Sequence, residues 1–231
     1  MGCSAGGLVA TYATAGRSGV RRLLGQAVHV KVPVLWWLYV LIVPVAMQTC
    51  VALVSFASAG VTVAIRPAAL LSLATPPLLL PFLFGPFGEE FGWRGFLLPH
   101  LVRRLSVLPA CLIVGVIEAL WHWPLEYQQM AGLVWYAACG SFMIAAVYLR
   151  ANSVLLAMVM HWNFNSMAQL SPKLFPGVPA ADISVVGLLG VMGVLALFAA
   201  LTIPTLLAAQ RAEGLSSLGR SGQLDRAAAG D

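Results

Sequence analysis

Long apolar segments separated by short polar stretches dominate this 231-residue chain and limit what it can fold into. They cover about residues 33–59, 68–85, 107–123, 131–149, 153–170 and 183–209. Most of them approach the ~20 apolar residues that an α-helix needs to cross a bilayer. Only 9% of the residues are charged, whereas a soluble domain carries about 25%. We therefore predict an all-α, polytopic integral membrane helical bundle with about six or seven transmembrane helices.

Polarity divides the chain into three parts. Residues 1–32 combine a stretch that is too short to span, and that lacks the basic start of a signal peptide, with a basic connector. We expect the first stretch, residues 1–16, to be the remnant of a crossing and not a full helix. Residues 33–209 form the membrane domain, within which Gly85, Pro86 and Gly88 predict a break before a helix at about 87–103. Residues 210–231 are polar and rich in Gly and Ser, which predicts a disordered tail.

Basic residues are distributed unevenly between the two ends of the predicted helices. If the helices alternate in direction, ten basic residues share one face: Arg17, Arg21, Arg22, Lys31, Arg103, Arg104, Arg150, Arg211, Arg220 and Arg226. Only Arg66 and Lys173 lie on the other face, so the positive-inside rule makes the first face cytoplasmic. The net charge is +5, but the basic residues form no tract, so we predict no nucleic-acid partner. The apolar segments predict the lipid bilayer as a partner.

Ionisable residues inside the apolar part are few. Residues 1–181 contain four glutamates and four histidines: Glu89, Glu90, Glu118, Glu126, His29, His100, His122 and His161. Such groups are costly within a bilayer, so those that occur there usually have a function. We expect Glu126, His29 and His100 to lie in loops or at the membrane surface, and the other five to lie deeper.

Helix geometry predicts that several of these groups lie at one depth. If residues 104–107 form the tip of a helical hairpin, Glu89 and His122 each lie about 16 residues, or roughly 25 Å, from that tip. The next pair of helices is predicted to turn near Arg150–Asn152, and His161 and Asn165 lie about 15–20 Å from that turn. We therefore expect the three helices to bring these side chains into one layer.

Three helices also carry polar pairs at i,i+4 spacing, which places both members on one helix face. The pairs are Glu90 with Arg94, Glu118 with His122, and His161 with Asn165. Each pair alone is compatible with a structural role, such as an ion pair, a helix cap or hydrogen bonding between helices. Their coincidence in one layer favours a functional site.

This set of side chains suits hydrolysis by an activated water molecule. A shielded glutamate can act as general base, and histidine and asparagine donors can stabilise an oxyanion. Alternatively, glutamate and histidine can bind a divalent metal such as zinc that acidifies the water. The sequence lacks HExxH, which excludes a standard zincin helix, and no serine or cysteine nucleophile is apparent beside these groups.

Three motifs occur in an order that resembles a known family. They are EExxxR in "GEEFGWRGFLLP" (Glu89, Glu90, Arg94), the histidine of "LWHWP" (His122) and HxxxN in "HWNFN" (His161, Asn165). The set is similar to the CAAX prenyl endopeptidases and bacteriocin-processing enzymes, also called CPBP or Abi intramembrane proteases. The resemblance covers about residues 17–170 and implies a helical protease whose active site opens inside the membrane.

The resemblance also implies residue roles. The implied catalytic residues are Glu89, Glu90, His122, His161 and Asn165, with Arg94 and Glu118 in support. Glu89 is implied as the base that activates water and Glu90 as its partner. The histidines and Asn165 are implied as oxyanion stabilisers or metal ligands, and a metal set would be Glu89, His122 and His161. A membrane-associated protein or peptide is the implied substrate, in a bacterial-type inner membrane that the chain crosses several times.

Two features depart from the family pattern. The second motif is usually FxxxH, but Glu118 occupies the position of the aromatic residue. We expect a Glu118→Phe variant to keep its activity. Family members also often have one or two more N-terminal crossings than are apparent in this sequence.

Two other functions stay open. The first is a non-catalytic membrane scaffold or a bacteriocin self-immunity protein, for which Glu89→Ala would leave the biological function intact. The second is a transporter that uses the glutamates and histidines as a proton relay. The lack of repeated halves in the sequence counts against the transporter.

Overall fold

The computed structural model describes residues 2–60, 64–69, 82, 85–123, 130–176 and 185–212. The helices are α1 Gly2–Gln26, α2 Val34–Ala59, α3 Pro86–Gly92, a π-helical turn Trp93–Leu97, α4 Leu98–Val102, α5 Val107–Trp121, α6 Met130–Ala151, α7 Val154–Leu174 and α8 Val185–Leu201. Within these ranges there is no β-strand, so the predicted all-α class is confirmed. The apolar segment predicted at 68–85 and the tail predicted at 210–231 lie largely outside the described residues.

Three helices in the described ranges are long and apolar enough to cross a membrane: Val34–Ala59, Ala131–Ala151 and Val185–Ala212. A fourth apolar helix, Val107–Trp121, is shorter. Valine and leucine side chains on α2 and α8 point outward, among them Val34, Leu35, Val186 and Leu189, as expected for helices that face lipid. The protein is a helical membrane bundle, and the number of six or seven crossings stays a prediction.

Two tight turns connect antiparallel helices at the predicted positions. Arg104 and Leu105 donate backbone hydrogen bonds to Leu101 O at the end of α4, and extended Ser106 precedes α5. Asn152 adopts a left-handed conformation (φ 49°) between α6 and α7, which asparagine tolerates better than most residues. Ser153 then caps α7 by accepting a hydrogen bond from Leu156 N.

Hydrogen bonds define the two ends of the bundle. At one end, Gln26 Nε2 donates to Asn152 Oδ1 at 2.6 Å, and Ser153 Oγ donates to His29 O at 2.9 Å. At the other end, Arg66 N donates to Leu174 O at 2.8 Å. The helix order therefore places Arg66 at the end opposite to the turn between α6 and α7, as the charge distribution predicts.

The N-terminal residues form two helical stretches that meet at a kink at Gly16, where φ is 61° and ψ is −163°. The stretch at 2–16 is helical and not the incomplete helix predicted from the sequence, whereas its origin as the remnant of a crossing stays a prediction. This helix packs tightly on α3, because a Cβ atom at Gly7 would lie only 2.7 Å from the Gly92 Cα. Ser4 Oγ also donates to Phe87 O at 2.9 Å. Helix α1 is thus a wall of the region that contains the two adjacent glutamates.

A proline and an asparagine link α2 to α7. Pro44 lies inside α2 and has no N–H, so the carbonyl of Val40 lacks its usual helical donor. Asn163 Nδ2 donates to Val40 O and to Leu41 O, both at 2.9 Å. In a bilayer, where water cannot satisfy that carbonyl, such a side-chain contact stabilises the helix pair.

Candidate active site

The two glutamates lie on the first turns of a helical stretch that we call the site helix, comprising residues 86–102. Pro86 starts it, since proline is tolerated where the backbone N–H has no helical acceptor. Glu89 and Glu90 follow within one turn and are both buried, with exposures of 6% and 0%. An apolar bundle thus holds two adjacent carboxylates away from bulk solvent.

A π-helical turn, Trp93–Leu97, interrupts the site helix directly after the glutamates. Leu98 N donates to Trp93 O, five residues earlier, instead of the four residues that an α-helix spans. Turns of this kind are rare and occur frequently at functional sites. Arg94 lies in this turn and is fully buried.

Arg94 connects the site helix to α5 through two carboxylates. Its Nη1 lies 2.7 Å from Glu90 Oε1, and its Nη2 lies 2.9 Å from Glu118 Oε2. The side chains of Arg94 and Glu90 are completely shielded. A buried ion pair of this kind fixes the geometry of its members, and removing one partner leaves an uncompensated charge.

Helix α7 contributes His161 to the same cluster. Its Nδ1 lies 2.6 Å from Glu90 Oε1 and 3.8 Å from Glu118 Oε1. One oxygen of Glu90 therefore contacts both Arg94 and His161. The other acid, Glu89, accepts a longer hydrogen bond of 3.3 Å from Trp93 Nε1.

The charges of this cluster do not balance. Three carboxylates, those of Glu89, Glu90 and Glu118, lie around a single guanidinium, that of Arg94. If all three are ionised and His161 is neutral, two negative charges are in excess. Uncompensated charge is costly in an apolar interior, so the cluster favours protons or a divalent cation as compensation.

A cavity of about 90 Å³ adjoins the cluster. Its polar lining comes from four elements, namely the site helix, α5, α6 and α7: Arg94, Glu118, His122, Ser141, His161 and Asn165. Liquid water occupies about 30 Å³ per molecule, so the cavity is large enough for more than one water molecule or for a small part of a substrate. Apolar and small residues of α6, such as Ala137 and Gly140, form the opposite wall.

The predicted site residues lie in two groups. Glu89, Glu90 and His161 form the charged cluster with Arg94, whereas His122 and Asn165 line the adjacent cavity. His122 lies at the C-terminal end of α5, where its Nδ1 is 2.9 Å from Glu118 O in the same helix. All of them lie in one region of the bundle.

The set of possible metal ligands differs from the predicted one. Ligand atoms of Glu89, Glu118 and His161 lie within 4.8 Å of one another, so Glu118 takes the place predicted for His122. The helix rise that underlies the prediction gives the depth of a residue but not its direction around the axis. Glu118 and His122 are one turn apart, and the former points at Arg94 and His161.

Ser141 is a polar residue of the cavity that the sequence does not reveal. It is 1% exposed, and its Oγ has no hydrogen-bond partner among the described residues. A buried hydroxyl without a partner is unusual. Its only signal in the sequence is a serine beside Gly140 in an apolar helix, which is typical of ordinary helix packing.

The fold and the cluster define an all-α membrane protein with an ionisable site buried inside the bundle. Residues 71–167 of the chain match the model of a family described as type II CAAX prenyl endopeptidase Rce1-like. The matched residues include all three motifs, so the predicted resemblance to the CPBP family is confirmed.

A similar protein comes from the archaeon Methanococcus maripaludis and is named CAAX prenyl protease 2. It is 27% identical over 109 residues, which are 41% of this chain. The match spans 40% of that relative's length. No solved structure matches the chain.

Proposed function

We propose that this protein is an intramembrane endopeptidase of the CAAX-processing type. The observation that carries the proposal is the cluster of Glu89, Glu118 and His161, whose ligand atoms lie within 4.8 Å of one another. This cluster adjoins a cavity lined by His122 and Asn165. The family and the relative described above are both named as CAAX prenyl proteases, which supports cleavage of a protein or peptide at the membrane.

Glu89 is the proposed general base. Glu90 is fully buried, and one of its oxygens already contacts both Arg94 and His161. Glu89 makes only one hydrogen bond of 3.3 Å with its side chain among the described residues, so it keeps acceptor capacity for a water molecule. Such a base takes a proton from the water as the oxygen attacks the scissile carbonyl.

Donors in the cavity are proposed to stabilise the oxyanion that then develops. Asn165 offers an amide N–H. His122 donates Nδ1–H to the carbonyl of Glu118, so its Nε2 becomes a second donor only in the imidazolium form. Donors that are fixed before the reaction act strongly in a site shielded from water, and each contributes roughly 10²–10³ in kcat. Glu90 and Arg94 act as positioning residues, since they hold His161 at 2.6 Å through one carboxylate.

The same residues fit a divalent cation such as zinc. Imidazole nitrogens and carboxylate oxygens are both zinc ligands, and catalytic zinc typically has three protein ligands and keeps a fourth position open. In such sites the second nitrogen of the histidine usually contacts a carboxylate, and His161 Nδ1 lies 2.6 Å from Glu90. Glu89, Glu118 and His161 would hold the ion, which lowers the pKa of bound water when present.

Removal of metal tests this part of the proposal. We expect dialysis against a chelator to lower the peptidase activity of the purified protein, and added zinc to restore it. The Glu118→Gln variant should need a higher zinc concentration for the same recovery. Full activity in protein that elemental analysis shows to be metal-free would instead support a mechanism that uses glutamate alone.

The central test compares cleavage in cells that carry wild-type protein or Glu89→Gln at equal expression. Mass spectrometry of peptide termini in the membrane fraction should reveal new termini that disappear in the variant. The product would also identify the substrate, which we propose to be a membrane-associated protein or peptide in a bacterial-type inner membrane. A second variant, His161→Gln, should lose the same termini. His29→Gln is its matched control, because His29 lies at the end of the bundle and should be dispensable for cleavage.

The scaffold or immunity function predicts the opposite result. In that case the termini are identical in both strains, and Glu89→Gln keeps the biological phenotype. The buried excess of carboxylates favours the peptidase, because a structural ion pair needs only equal numbers of acids and bases.

A further inference from the structure

A second polar cavity lies between α1 and α4, apart from the catalytic one. Its volume is about 320 Å³. Its charged or polar lining residues include Arg22, Gln26, His100, Arg103 and Tyr148. Among the described residues, none that lines this cavity also lines the proposed catalytic cavity. We call it the basic groove.

The basic groove has no acidic partner within the described part of the chain. All carboxylate side chains of the described residues belong to the buried cluster of Glu89, Glu90 and Glu118. Arg22 and Arg103 are exposed, and neither forms an ion pair with another described residue. The positive charge of the groove is therefore available for an anion from outside the chain.

The side chains of the groove keep free donors. Arg103 donates Nε to Pro99 O at 3.2 Å, which leaves its two terminal nitrogens. His100 donates Nδ1–H to Phe96 O at 2.7 Å, so its Nε2 is a further donor to an anion in the imidazolium form. Guanidinium groups bind phosphate oxygens through paired hydrogen bonds. The groove is therefore suited to phosphate.

The position of the groove identifies the source of that phosphate. Arg22 is one turn from Gln26, which contacts Asn152 at the end of the bundle, and Arg103 follows the last residue of α4. Both arginines therefore lie where the helices leave the apolar layer, at the face that the charge distribution predicts to be cytoplasmic. Basic pockets between helices at this depth are suited to anionic lipid headgroups.

An apolar cavity of about 350 Å³ lies next to the groove, and Phe96 lines both. Small residues of α1, such as Gly6 and Ala10, form one side of it, and Trp93 and Trp121 form another. A lipid with its phosphate in the basic groove thus has an apolar surface beside it for a hydrocarbon chain.

We propose that the basic groove and the adjoining apolar cavity form a binding site for an anionic phospholipid. Arg22, His100 and Arg103 bind the phosphate, and the apolar cavity takes part of one acyl chain. The site is separate from the proposed peptidase site, and its lipid is a bound component of the membrane and not a substrate.

Native mass spectrometry of the full-length chain tests the site with phosphatidylglycerol and phosphatidylcholine of identical chains. We expect the wild type to retain phosphatidylglycerol preferentially. The double variant Arg22→Gln/Arg103→Gln should lower that retention about thirtyfold, since each of the two basic residues near an anionic lipid contributes ~1 kcal/mol. Single Arg22→Gln, at an exposed position, should show a smaller loss and covers the case that the double variant does not fold.

The chain offers a matched control in Arg21→Gln/Arg104→Gln. These arginines are exposed neighbours of the same charge that do not line the groove, so retention should stay at the wild-type level. An equal loss in both double variants would overturn the proposal in favour of diffuse attraction. Unchanged retention in Arg22→Gln/Arg103→Gln would overturn it as well.

Two further arms separate the lipid from a soluble phosphate. Gly6→Leu should fill the apolar cavity and lower retention, because a Cβ at Gly6 meets no atom within 4 Å. Gly25→Leu is its control, since Gly25 is equally open and lies outside both cavities. Glycerol 3-phosphate should not displace phosphatidylglycerol. Displacement at comparable concentrations would assign the groove to a soluble phosphate instead.

Discussion

Arg94 is fully buried between the carboxylates of Glu90 and Glu118, so each partner affects folding as well as chemistry. Loss of Arg94 leaves the carboxylates without compensation in an apolar interior, and loss of Glu118 leaves Arg94 Nη2 without its ionic partner. Breaking a buried pair in this way costs about 3–5 kcal/mol. Roles in stability and in catalysis can therefore be separated only with variants that keep the shape of the side chain.

Glu118 is the first position for such a test. The sequence suggests that Glu118→Phe keeps activity, but its contacts with Arg94 and His161 reverse that expectation. We now expect Glu118→Phe to lose activity and to unfold more easily in detergent, and Glu118→Gln to lose activity with a smaller loss of stability. Thermal unfolding and cleavage assays on both variants check this. A fully active Glu118→Phe protein would show that the ion pair is dispensable.

Ser141 allows a cleaner separation. Its hydroxyl has no partner among the described residues, so its removal in Ser141→Ala should leave the stability unchanged or slightly raised. If the hydroxyl contacts substrate or water in the cavity, kcat should fall about tenfold, which is less than the roughly 10²–10³ lost with a single oxyanion donor. Ser166→Ala is the control, because Ser166 is also buried but does not line the cavity. Equal activity in both variants would remove Ser141 from the site.

At the residue scale, the sequence predicts which side chains gather but not which of them touch. Spacing along the helices places Glu89, His122 and His161 near one depth, because the rise per residue is constant. The contacts depend on rotation about the helix axes, which the packing of neighbouring helices sets. Glu118 therefore reaches His161, and His122 lines the cavity instead.

Glycines set the distances between helices at the site. A Cβ at Gly7 would lie 2.7 Å from Gly92 Cα, and one at Gly115 would lie 2.6 Å from Ala138 Cα. Small residues at such crossings let helix backbones approach closely in membranes. Helix α1 and helix α6 can thus pack directly against the helices that carry the acids.

Single alanine substitutions test this packing. We expect Gly7→Ala and Gly115→Ala each to destabilise the protein by about 1–3 kcal/mol, the usual cost of overpacking, and to lower activity by shifting the site. Gly6→Ala should be tolerated, since a Cβ there meets no atom within 4 Å. Unfolding midpoints in one detergent give the comparison. Equal midpoints for Gly7→Ala and Gly6→Ala would mean that α1 does not pack on α3 in the membrane.

At the element scale, apolar runs with clear ends are predictable and close-packed glycine contacts are not. The run at 33–59 corresponds to α2, Val34–Ala59. Its ends are predictable because Pro33 and Gly60 bound a continuous apolar stretch, and proline and glycine favour the start and the end of a helix. Helix α1 has no comparable signal, since its small residues near Gly7 carry little hydrophobicity. Its structure depends on contact with Gly92, which no local pattern reveals.

The whole molecule has a polarity that can be tested by labelling from either side of the membrane. Arg150 lies in the last turn of α6 and Lys173 in the last turn of α7, so antiparallel packing places them at opposite ends. In a variant without native cysteines, Arg150→Cys should react with an impermeant reagent only after the cytoplasmic side is opened. Lys173→Cys should react in intact cells, by the positive-inside rule. Labelling of both positions from one side would contradict the topology.

The depth of the site follows from the same geometry. Glu118 lies 11 residues into α5 and His161 seven residues into α7, so both lie roughly 10–17 Å from the end that carries most of the basic residues. That depth is within the apolar core of a bilayer about 30 Å thick. Under the proposed function, a substrate would therefore bring its cleaved bond, together with water, to the middle of the membrane.

The π-helical turn at Trp93–Leu97 fixes how the two halves of the site helix are rotated relative to each other about the helix axis. It accommodates one more residue than an α-helical turn, so everything after it is rotated by roughly 100° relative to a regular helix. The acids precede the turn, and the groove residues His100 and Arg103 follow it. Deletion of a single residue in this turn would leave both halves helical but would change the direction of the side chains of one half relative to those of the other. The hydrogen bond from Leu98 N to Trp93 O thus sets the relative orientation of the proposed active site and the proposed lipid site.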